Sequence, residues 1–352
     1  MYQQAIIEAE PIAVSVPVED PLERVFTGGD LSEQQAQTLF ARIVEGELDE
    51  ASMAALFVAL RLKGETADEL TGAARALQAA AVPFDAPEYR FADSCGTGAD
   101  GSGSINVSTA VAFVAAASGL PIAKHGNRSI TSRCGSADVL EALGVRIDVS
   151  PKHSRAMLDD LGFCFLFAPA YHPGLRHAGP VRRRLKVRTV MNFLGPCVNP
   201  ARPPVQLLGV ADPAKVEPVA LTLSRLGVQQ ALVVHGSGLD EVALHGDTQA
   251  VRLEGDEVER LTLRPEDAGL ERAPLDSVRG GEPAENATRL RALLDGRLLG
   301  AERDLVLINS AALLLTAGLS ADLKQGVALA RHALASGAAG RLLDRVIEAS
   351  HG

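Results

Sequence analysis

The stretch Asp93-Ser-Cys-Gly-Thr-Gly-Ala-Asp-Gly-Ser-Gly-Ser-Ile-Asn-Val-Ser-Thr109 decides how this 352-residue chain folds. Residues 89–92 before it can enter a sheet, and the apolar run 110–118 after it ends at Gly119-Leu-Pro121. This order predicts a strand, a glycine-rich loop and a buried helix. Glycines let backbone N–H groups converge, and the helix start adds unpaired N–H groups and a positive dipole end. The stretch predicts a site for a phosphate or pyrophosphate; the alternative is a flexible surface loop.

The composition is that of a globular protein, with 47% hydrophobic and 22% charged residues, and it suffices for one large or two ordinary domains. The formal net charge of −10 argues against a general nucleic-acid-binding surface. Residues 1–20 lack the basic start and apolar core of a signal peptide, and apolar runs such as 305–315 are too short for a membrane span. Four cysteines without a CxxC pair indicate reduced thiols, so we expect a cytoplasmic protein that enters no membrane. Cys95, beside the loop, is an alternative nucleophile with no base next to it in sequence.

Two different patterns follow the N-terminal extension at residues 1–20. Capping boxes at Ser32 and Thr66 and apolar residues at helical spacing predict a purely helical segment up to about residue 85, with enough apolar surface to dock or dimerise. From there, short apolar runs alternate with helices, which predicts a mostly parallel sheet covered by helices. Strands are expected at 120–124, 145–149, 163–167, 205–210 and 231–235, an antiparallel ribbon over 248–264, and long helices at 284–294, 304–317 and 323–335.

A second dense polar stretch is Lys124-His-Gly-Asn-Arg-Ser-Ile-Thr-Ser-Arg-Cys-Gly-Ser136. It begins at an expected strand end and finishes at a helix start, where ligands gather in α/β sheets. Within it, Lys124 and Arg128 supply positive charge, Ser129, Ser132 and Ser136 supply hydroxyl groups, and Asn127 supplies an amide. The alternative is a polar turn before a capped helix, with Ser136 as the cap.

Several motifs together resemble the anthranilate phosphoribosyltransferase family over about residues 22–340. They are Gly-Thr-Gly-x-Asp-Gly at 96–101, Asn-x-Ser-Thr at 106–109, Lys124-His-Gly-Asn-Arg-Ser129, Gly135-Ser-Ala-Asp-Val-Leu-Glu-Ala-Leu-Gly144, His172-Pro-Gly-Leu-Arg-His177, Gly179-Pro-Val-Arg182, Arg188-Thr189, Asn192-Phe-Leu-Gly-Pro196, Asn199-Pro200, His235-Gly236, Gly238-Leu-Asp-Glu241 and Gly280-Gly-Glu-Pro-Ala-Glu-Asn286.

The resemblance implies an all-helical N-terminal domain, residues 21–85 plus a helical insertion near 176–200. It also implies a larger α/β domain, residues 86–175 and 201–352, with a mostly parallel central sheet covered by helices and with substrates between the two domains. The implied reaction transfers the 5-phosphoribosyl group from phosphoribosyl pyrophosphate (PRPP) to the amine of anthranilate, with Mg²⁺, in L-tryptophan biosynthesis. The implied assembly is a homodimer formed through the N-terminal helices.

The resemblance also assigns roles to individual residues. The implied PRPP-binding set is Gly96, Ala99, Asp100, Ser104, Asn106, Ser108, Thr109, Lys124, Arg128, Ser132 and Ser136. The implied anthranilate-binding set is Gly96, His125, Asn127 and Arg182, and the implied Mg²⁺ ligands are Ser108, Asp240 and Glu241.

The chemistry of these side chains agrees with their implied roles. Mg²⁺ and fixed donors stabilise the charge that develops on a pyrophosphate leaving group, and an arginine can clamp a carboxylate with two hydrogen bonds. The aryl amine is neutral near pH 7, so no general acid or base is assigned. Taken alone, an acidic pair such as Asp240-Glu241 is more often an exposed turn than a metal site, and the arginine run from Arg182 is a solvated helix face with one inward side chain.

Two other functions are compatible with this fold. A pyrimidine nucleoside phosphorylase would use inorganic phosphate and would not need the paired acids, and a non-catalytic relative that binds nucleic acid would have a basic surface. Four positions depart from the family pattern: Ala99 replaces a glycine, Ser104-Ile105 replaces Thr-Phe, and Lys186 replaces a glycine. A methyl group at Ala99 restricts φ and can crowd the pyrophosphate.

Overall fold

The computed structural model describes residues 20–98, 100–129, 133–255 and 257–352. Expectations about residues 1–19, Ala99 and Ser132 lie outside these ranges. The N-terminal part is helical, as expected: α1 (Pro21–Phe26), α2 (Glu33–Glu45), α3 (Glu50–Lys63) and α4 (Ala67–Ala79). Both capping boxes are present. The side chains of Ser32 and Thr66 each accept a hydrogen bond from the backbone N–H three residues later, and the side chain of that later residue accepts one from the backbone N–H of Ser32 or Thr66. Local sequence therefore fixes where these helices start.

The larger part contains one seven-stranded sheet. The strands are β1 (Ala92–Gly96), β2 (Ile122–Gly126), β3 (Phe163–Phe167), β4 (Val205–Gly209), β5 (Gln230–His235), β6 (Thr248–Glu254) and β7 (Glu257–Leu263), in the order β3-β2-β1-β4-β5-β6-β7. The pairs among β1–β5 are parallel, and β5-β6 and β6-β7 are antiparallel. This confirms the mostly parallel sheet with an antiparallel ribbon.

Eleven further α-helices are found in the described residues after β1. They are α5 (Val107–Ala117), α6 (Ser136–Ala142), α7 (Pro151–Leu161), α8 (Ala168–Tyr171), α9 (Ala178–Leu185), α10 (Val190–Cys197), α11 (Val216–Arg225), α12 (Pro283–Leu294), α13 (Ala301–Thr316), α14 (Leu323–Ala335) and α15 (Ala338–Ser350). Within the described residues, no helix is both long and apolar enough to cross a membrane.

Two buried clusters cover the two faces of the sheet. One joins the sheet to α5 and α12–α15, where Phe113 stacks on Phe163 with ring centroids 4.3 Å apart. The other joins the opposite face to α1–α4 and α9–α11; alternate strand residues such as Leu207 and Leu208 enter different clusters. The apolar surface of the N-terminal helices is thus largely covered inside the chain, although Leu62 remains 81% exposed.

The strand expected at residues 145–149 is wrong. Its residues alternate between buried and exposed, but they pair with no strand. Instead, the Arg146 N–H donates to Ser350 Oγ at 2.9 Å, so the segment packs against the end of α15. Helix α15 itself was not expected from the sequence. An alternating pattern indicates one buried face and does not indicate what covers it.

Candidate active site

The candidate site lies where the carboxyl ends of β1, β2, β4 and β5 meet. Gly96 ends β1 directly opposite Gly209, which ends β4, and β2 leads into the lysine-containing stretch. The loop after β5 carries Asp240 and Glu241 to the same edge. Because the strands are parallel, segments distant in sequence converge at one place.

The acidic loop is held against the two glycine strand ends. The Gly98 N–H donates to Asp240 Oδ2 at 2.6 Å. A Cβ at Gly96 would overlap the Asp240 carboxylate, and one at Gly209 would overlap the Asp240 backbone carbonyl. From behind, Asn309 of α13 accepts from the Val242 N–H at 2.8 Å and donates to the Val242 carbonyl at 2.9 Å. The position of the acids therefore depends on close backbone packing.

A Gly209→Ala substitution tests this packing. The new methyl group meets backbone, which cannot rotate away, so we expect the acidic loop to shift and kcat/KM to fall by roughly 100-fold or more. Steady-state kinetics with both substrates measure this, and circular dichroism checks folding. Gly179→Ala is the control, since its Cβ meets only the flexible end of Arg183 at 3.3 Å. Unchanged kinetics for Gly209→Ala would contradict the packing argument.

Lys124 is buried at the centre of the site and connects its parts. Its Nζ donates to the Ser94 carbonyl at 2.5 Å and to Ser108 Oγ at 3.1 Å, which ties β2 to β1 and to the start of α5. Asp93, also buried, accepts from Asn199 Nδ2 at 2.9 Å. Burial lowers the pKa of Lys124 and raises the pKa of Asp93, while the attraction between the two charges opposes both shifts. Two hydrogen bonds therefore fix the position of the lysine side chain next to the glycine-rich loop.

Asp240 and Glu241 lie near this lysine, and the charge of Asp100 acts on both of their carboxyl groups. Burial, and then the charge of Asp100, raise the pKa of Asp240 to about 7. Burial, and then the charge of Asp240, raise the pKa of Glu241 well above its ordinary value, against the opposing charge of Lys124. Such crowding of acids suits a divalent cation, which relieves the repulsion.

The donor set fits Mg²⁺ only in part. Among the described residues, no three His, Cys, Asp or Glu side chains stand close enough together to hold a metal ion. Mg²⁺ normally takes one or two protein carboxylates and completes its shell with substrate phosphate oxygens and water. Asp240 and Glu241, with the Ser108 hydroxyl, match that kind of partial site.

Residues 278–286 hold the glycine-rich loop in place through hydrogen bonds. The Gly280 N–H donates to the Gly103 carbonyl at 2.7 Å, and Ser104 forms an isolated bridge with Arg279. Asn286 is buried and donates through Nδ2 to Asn106 Oδ1 at 3.0 Å. The sequence contained this motif but gave Asn286 no role, since nothing local links it to a loop 180 residues earlier.

The first turn of α5 carries the expected polar groups. Asn106 occupies the N-cap position, but its side chain makes no capping bond and donates instead to the Cys134 carbonyl at 3.1 Å. Thr109 Oγ1 is buried and has no hydrogen-bond partner among the residues that the structure describes. Asp100 accepts from the Ser102 N–H at 3.0 Å, so the loop itself orients that carboxylate.

In the stretch after β2, Arg128 has partners that the sequence did not indicate, and Ser136 does not take its expected place as the helix cap. Arg128 is exposed and pairs with Glu141 at 2.8 Å and Asp138 at 3.4 Å, so acids of α6 already satisfy its charge. Ser136 is the first residue of α6 and not its cap; Gly135 takes the cap position. Ser136 Oγ instead donates to the carbonyl of Asn127, at 3.3 Å. Asn127 itself is exposed.

Arg182 is the inward arginine of α9. Its side chain is half-buried and has no ion-pair or hydrogen-bond partner within the described part of the chain, and burial lowers its pKa. Arg183 and Arg184 are exposed, which confirms a solvated face with one inward side chain. An unpaired, half-buried guanidinium is costly unless an anion binds it.

His125 presents a neutral, unpaired nitrogen. The ring is buried, Nε2 has no hydrogen-bond partner in the described part of the chain, and burial followed by the neighbouring His172 lowers the pKa of His125 to about 3. The two rings lie 5.2 Å apart, edge to face. His125 therefore contributes a neutral surface and an open acceptor.

Cys95 does not fit the role of a nucleophile. Its thiol is buried beside Gln206 Nε2, at 3.2 Å, and burial raises the pKa of Cys95 well above the ordinary value. A thiol in that environment stays protonated near pH 7.

Comparisons with known proteins agree with the geometry. Residues 88–340 match the glycosyl transferase family, a/b domain, and residues 20–81 match the glycosyl transferase family, helical bundle domain. The chain is 56% identical to an anthranilate phosphoribosyltransferase of Sorangium cellulosum over 94% of each chain, and 48% identical to that of Aeromonas hydrophila over 94% of this chain and 96% of the relative.

Solved structures of similar proteins give the same result. The anthranilate phosphoribosyltransferase of Thermus thermophilus superposes with a TM-score of 0.90 at 44% identity, over 95% of this chain and 100% of the other. The Saccharomyces cerevisiae enzyme, solved in complex with PRPP and Mg, gives a TM-score of 0.86 at 28% identity, over 94% and 96%. The chain belongs to the anthranilate phosphoribosyltransferase family.

Proposed function

We propose that the protein transfers the 5-phosphoribosyl group from PRPP to the amine of anthranilate, giving N-(5-phosphoribosyl)anthranilate and pyrophosphate, in L-tryptophan biosynthesis. The observation that carries the proposal is a single juxtaposition: the glycine-rich loop, the buried Lys124 and the paired acids Asp240-Glu241 share one sheet edge. Arg182, which has no partner among the described residues, adds a free guanidinium for a substrate carboxylate. Relatives named anthranilate phosphoribosyltransferase, which are 47–56% identical to this chain, support this reaction.

The sheet edge suits PRPP. Convergent N–H groups, the first turn of α5 and a fixed lysine charge can stabilise the pyrophosphate as its bond to ribose C1 breaks. The proposed PRPP-binding residues are Gly96, Asp100, Ser104, Asn106, Ser108, Thr109, Lys124, Arg128 and Ser136, together with Ala99 and Ser132, which lie outside the described ranges. Of these, Arg128 would have to exchange its acidic partners for phosphate.

Mg²⁺ is the proposed cofactor, held by Ser108, Asp240 and Glu241. When bound, the ion supplies positive charge against the leaving pyrophosphate. The chain's own contribution is to hold two carboxylates at a fixed place, through Gly98 and through the amide of Asn309.

Anthranilate is proposed to bind Arg182 through its carboxylate, with Gly96, His125 and Asn127 around the ring. The amine lone pair forms the bond to C1 while the C1–O bond breaks and its electrons leave with pyrophosphate. The amine is neutral before attack, so no general base is assigned and the proton is lost after bond formation. Catalysis is then mainly positioning and electrostatic stabilisation.

The domain limits and the assembly are also proposals. Helices α9 and α10 share a buried cluster with α2–α4, which supports the insertion near 176–200 as part of the helical domain of residues 21–85. Residues 86–175 and 201–352 then form the α/β domain.

Phe26 and Leu62, 45% and 81% exposed, support a homodimer through the N-terminal helices. We propose a cytoplasmic enzyme that binds neither nucleic acid nor membrane.

The direct test is the fluorescence of anthranilate in the presence of protein, PRPP and Mg²⁺, with a parallel sample in EDTA. We expect the signal to decay only when PRPP and metal are both present, because the product amine is substituted. Absence of decay at any PRPP concentration would overturn the proposal. Phosphate-dependent cleavage of a pyrimidine nucleoside by the same preparation would then support the phosphorylase alternative.

A further inference from the structure

A cavity of about 720 Å³ lies at the opposite, amino edge of the sheet. The segment between α4 and β1 lines one side, and the segment that leads into β4 lines the other. Phe91 lines this cavity, whereas Gly96, at the far end of the same strand, belongs to the candidate active site. Five strand residues span roughly 16 Å, so the two sites are separate.

Both lining segments connect the helical part to the sheet. The helical-bundle match ends at residue 81 and the a/b match begins at residue 88, so residues 82–87 lie between them. On the other side of the cavity, Cys197 belongs to the buried cluster of the N-terminal helices, and Val205 belongs to the cluster on the opposite face of the sheet. Residues 198–204 therefore form the second connection between the helical part and the sheet. An occupant of this cavity would touch both connections at once.

The cavity presents two unpaired positive charges. Arg90 and Arg202 line it, both are exposed, and neither side chain has an ion-pair or hydrogen-bond partner among the residues described. Glu88 is the acid in the lining. Most arginines elsewhere in this acidic protein face a carboxylate, so two free guanidinium groups in one cavity favour an anion.

The backbone at Arg202 is strained. Its φ is 49°, in the left-handed region that a long side chain rarely adopts. The remaining lining is largely apolar and rich in proline, from Val82, Pro83, Phe84, Pro87, Pro200 and Pro204. A volume of this size suits a small organic ligand, since ligand pockets are about 300–1,000 Å³.

We propose that this cavity binds a small carboxylate with an apolar body. Arg90 and Arg202 hold the carboxylate, and the proline-rich walls cover the apolar part. Because the ligand contacts both connections, it restrains the helical part relative to the sheet and changes turnover without occupying the anthranilate pocket. The binding step stands on the cavity alone, whereas the effect on turnover rests on the proposed function.

The binding test uses 2-naphthoate and isothermal titration calorimetry. The protein carries Arg182→Ala, which removes the carboxylate clamp of the candidate active site. We expect one binding site, weakened at least about tenfold by the further changes Arg90→Gln and Arg202→Gly, because both cations are lost. Glycine is chosen at residue 202 because it accepts the left-handed backbone. Arg331→Gln, on an exposed arginine of α14 without a partner in the described chain, is the control.

Unchanged affinity in the double variant, an equal loss with Arg331→Gln, or no binding at all overturns the proposal. The kinetic arm uses the protein with Arg182 intact. There, 2-naphthoate is expected to change kcat in a way that the Arg90→Gln/Arg202→Gly changes remove. Inhibition that is purely competitive with anthranilate and persists in that variant overturns the coupling. If the protein does not turn over anthranilate, the calorimetric result still decides the binding step.

Discussion

Arg182→Ala is expected to lower kcat/KM for anthranilate by roughly 100- to 1,000-fold, while KM for PRPP changes by less than about threefold. Two charge-assisted hydrogen bonds to the substrate carboxylate are lost, and no protein group replaces them, because Arg182 has no partner among the described residues. The loss of stability should be small, since the removed cation paired with nothing there. Initial rates over a matrix of both substrates measure the two constants separately.

Two variants make this result specific. Arg183→Ala removes the exposed neighbour and should leave both constants near their original values. Arg182→Lys keeps the charge but not the planar pair of donors, so partial recovery is expected. Equal losses for anthranilate and PRPP in Arg182→Ala would show that the arginine does not act as a carboxylate clamp.

Glu241→Gln is expected to lower kcat by roughly 100-fold or more and to raise the Mg²⁺ concentration needed for half-maximal rate. The change keeps the size of the side chain and removes one negative charge from a proposed metal ligand. Without metal, we expect the variant to unfold at the same temperature as the unaltered protein or at a higher one, because the repulsion between the carboxylates of Glu241 and Asp240 is removed. Rates over an Mg²⁺ titration, with thermal unfolding in EDTA, separate the two effects.

Glu257→Gln is the matched control for this experiment. It removes an exposed carboxylate from β7, far from the sheet edge that holds the acids. We expect its Mg²⁺ dependence to match that of the unaltered protein. An unchanged Mg²⁺ dependence in Glu241→Gln itself would remove Glu241 from the proposed ligand set.

Sequence reasoning worked where the signal was local or where the pattern constrained the whole fold. Ser32 and Thr66 mark their helices through side-chain bonds three residues away, so those starts were predictable. The alternation of apolar runs with helices predicted the parallel sheet, and the rule that ligands gather at the carboxyl edge of such a sheet pointed to the stretch that begins at Lys124.

The remainder depended on contacts that no local pattern encodes. The segment at 145–149 has the alternation of a strand, yet it pairs with the end of α15. The ion pair of Arg128 with Glu141 was not predicted, because it depends on how α6 packs beside the loop that follows β2. Asp93 lies within the stretch that decides the fold, but its burial near Lys124 depends on how β1 and β2 lie side by side in the sheet.

The bond between Asn309 and Val242 has a consequence for how the protein is made. The glycine-rich loop, Lys124 and the acids all leave the ribosome before the helix that supports the acidic loop, because Asn309 follows Val242 by 67 residues. At about 5–20 residues per second, that interval lasts several seconds. During this interval the nascent chain already contains every residue proposed to bind substrate or metal. It still lacks the Asn309 side chain, which holds the loop that carries Asp240 and Glu241. The site is therefore completed late in translation, by a residue outside the proposed ligand set.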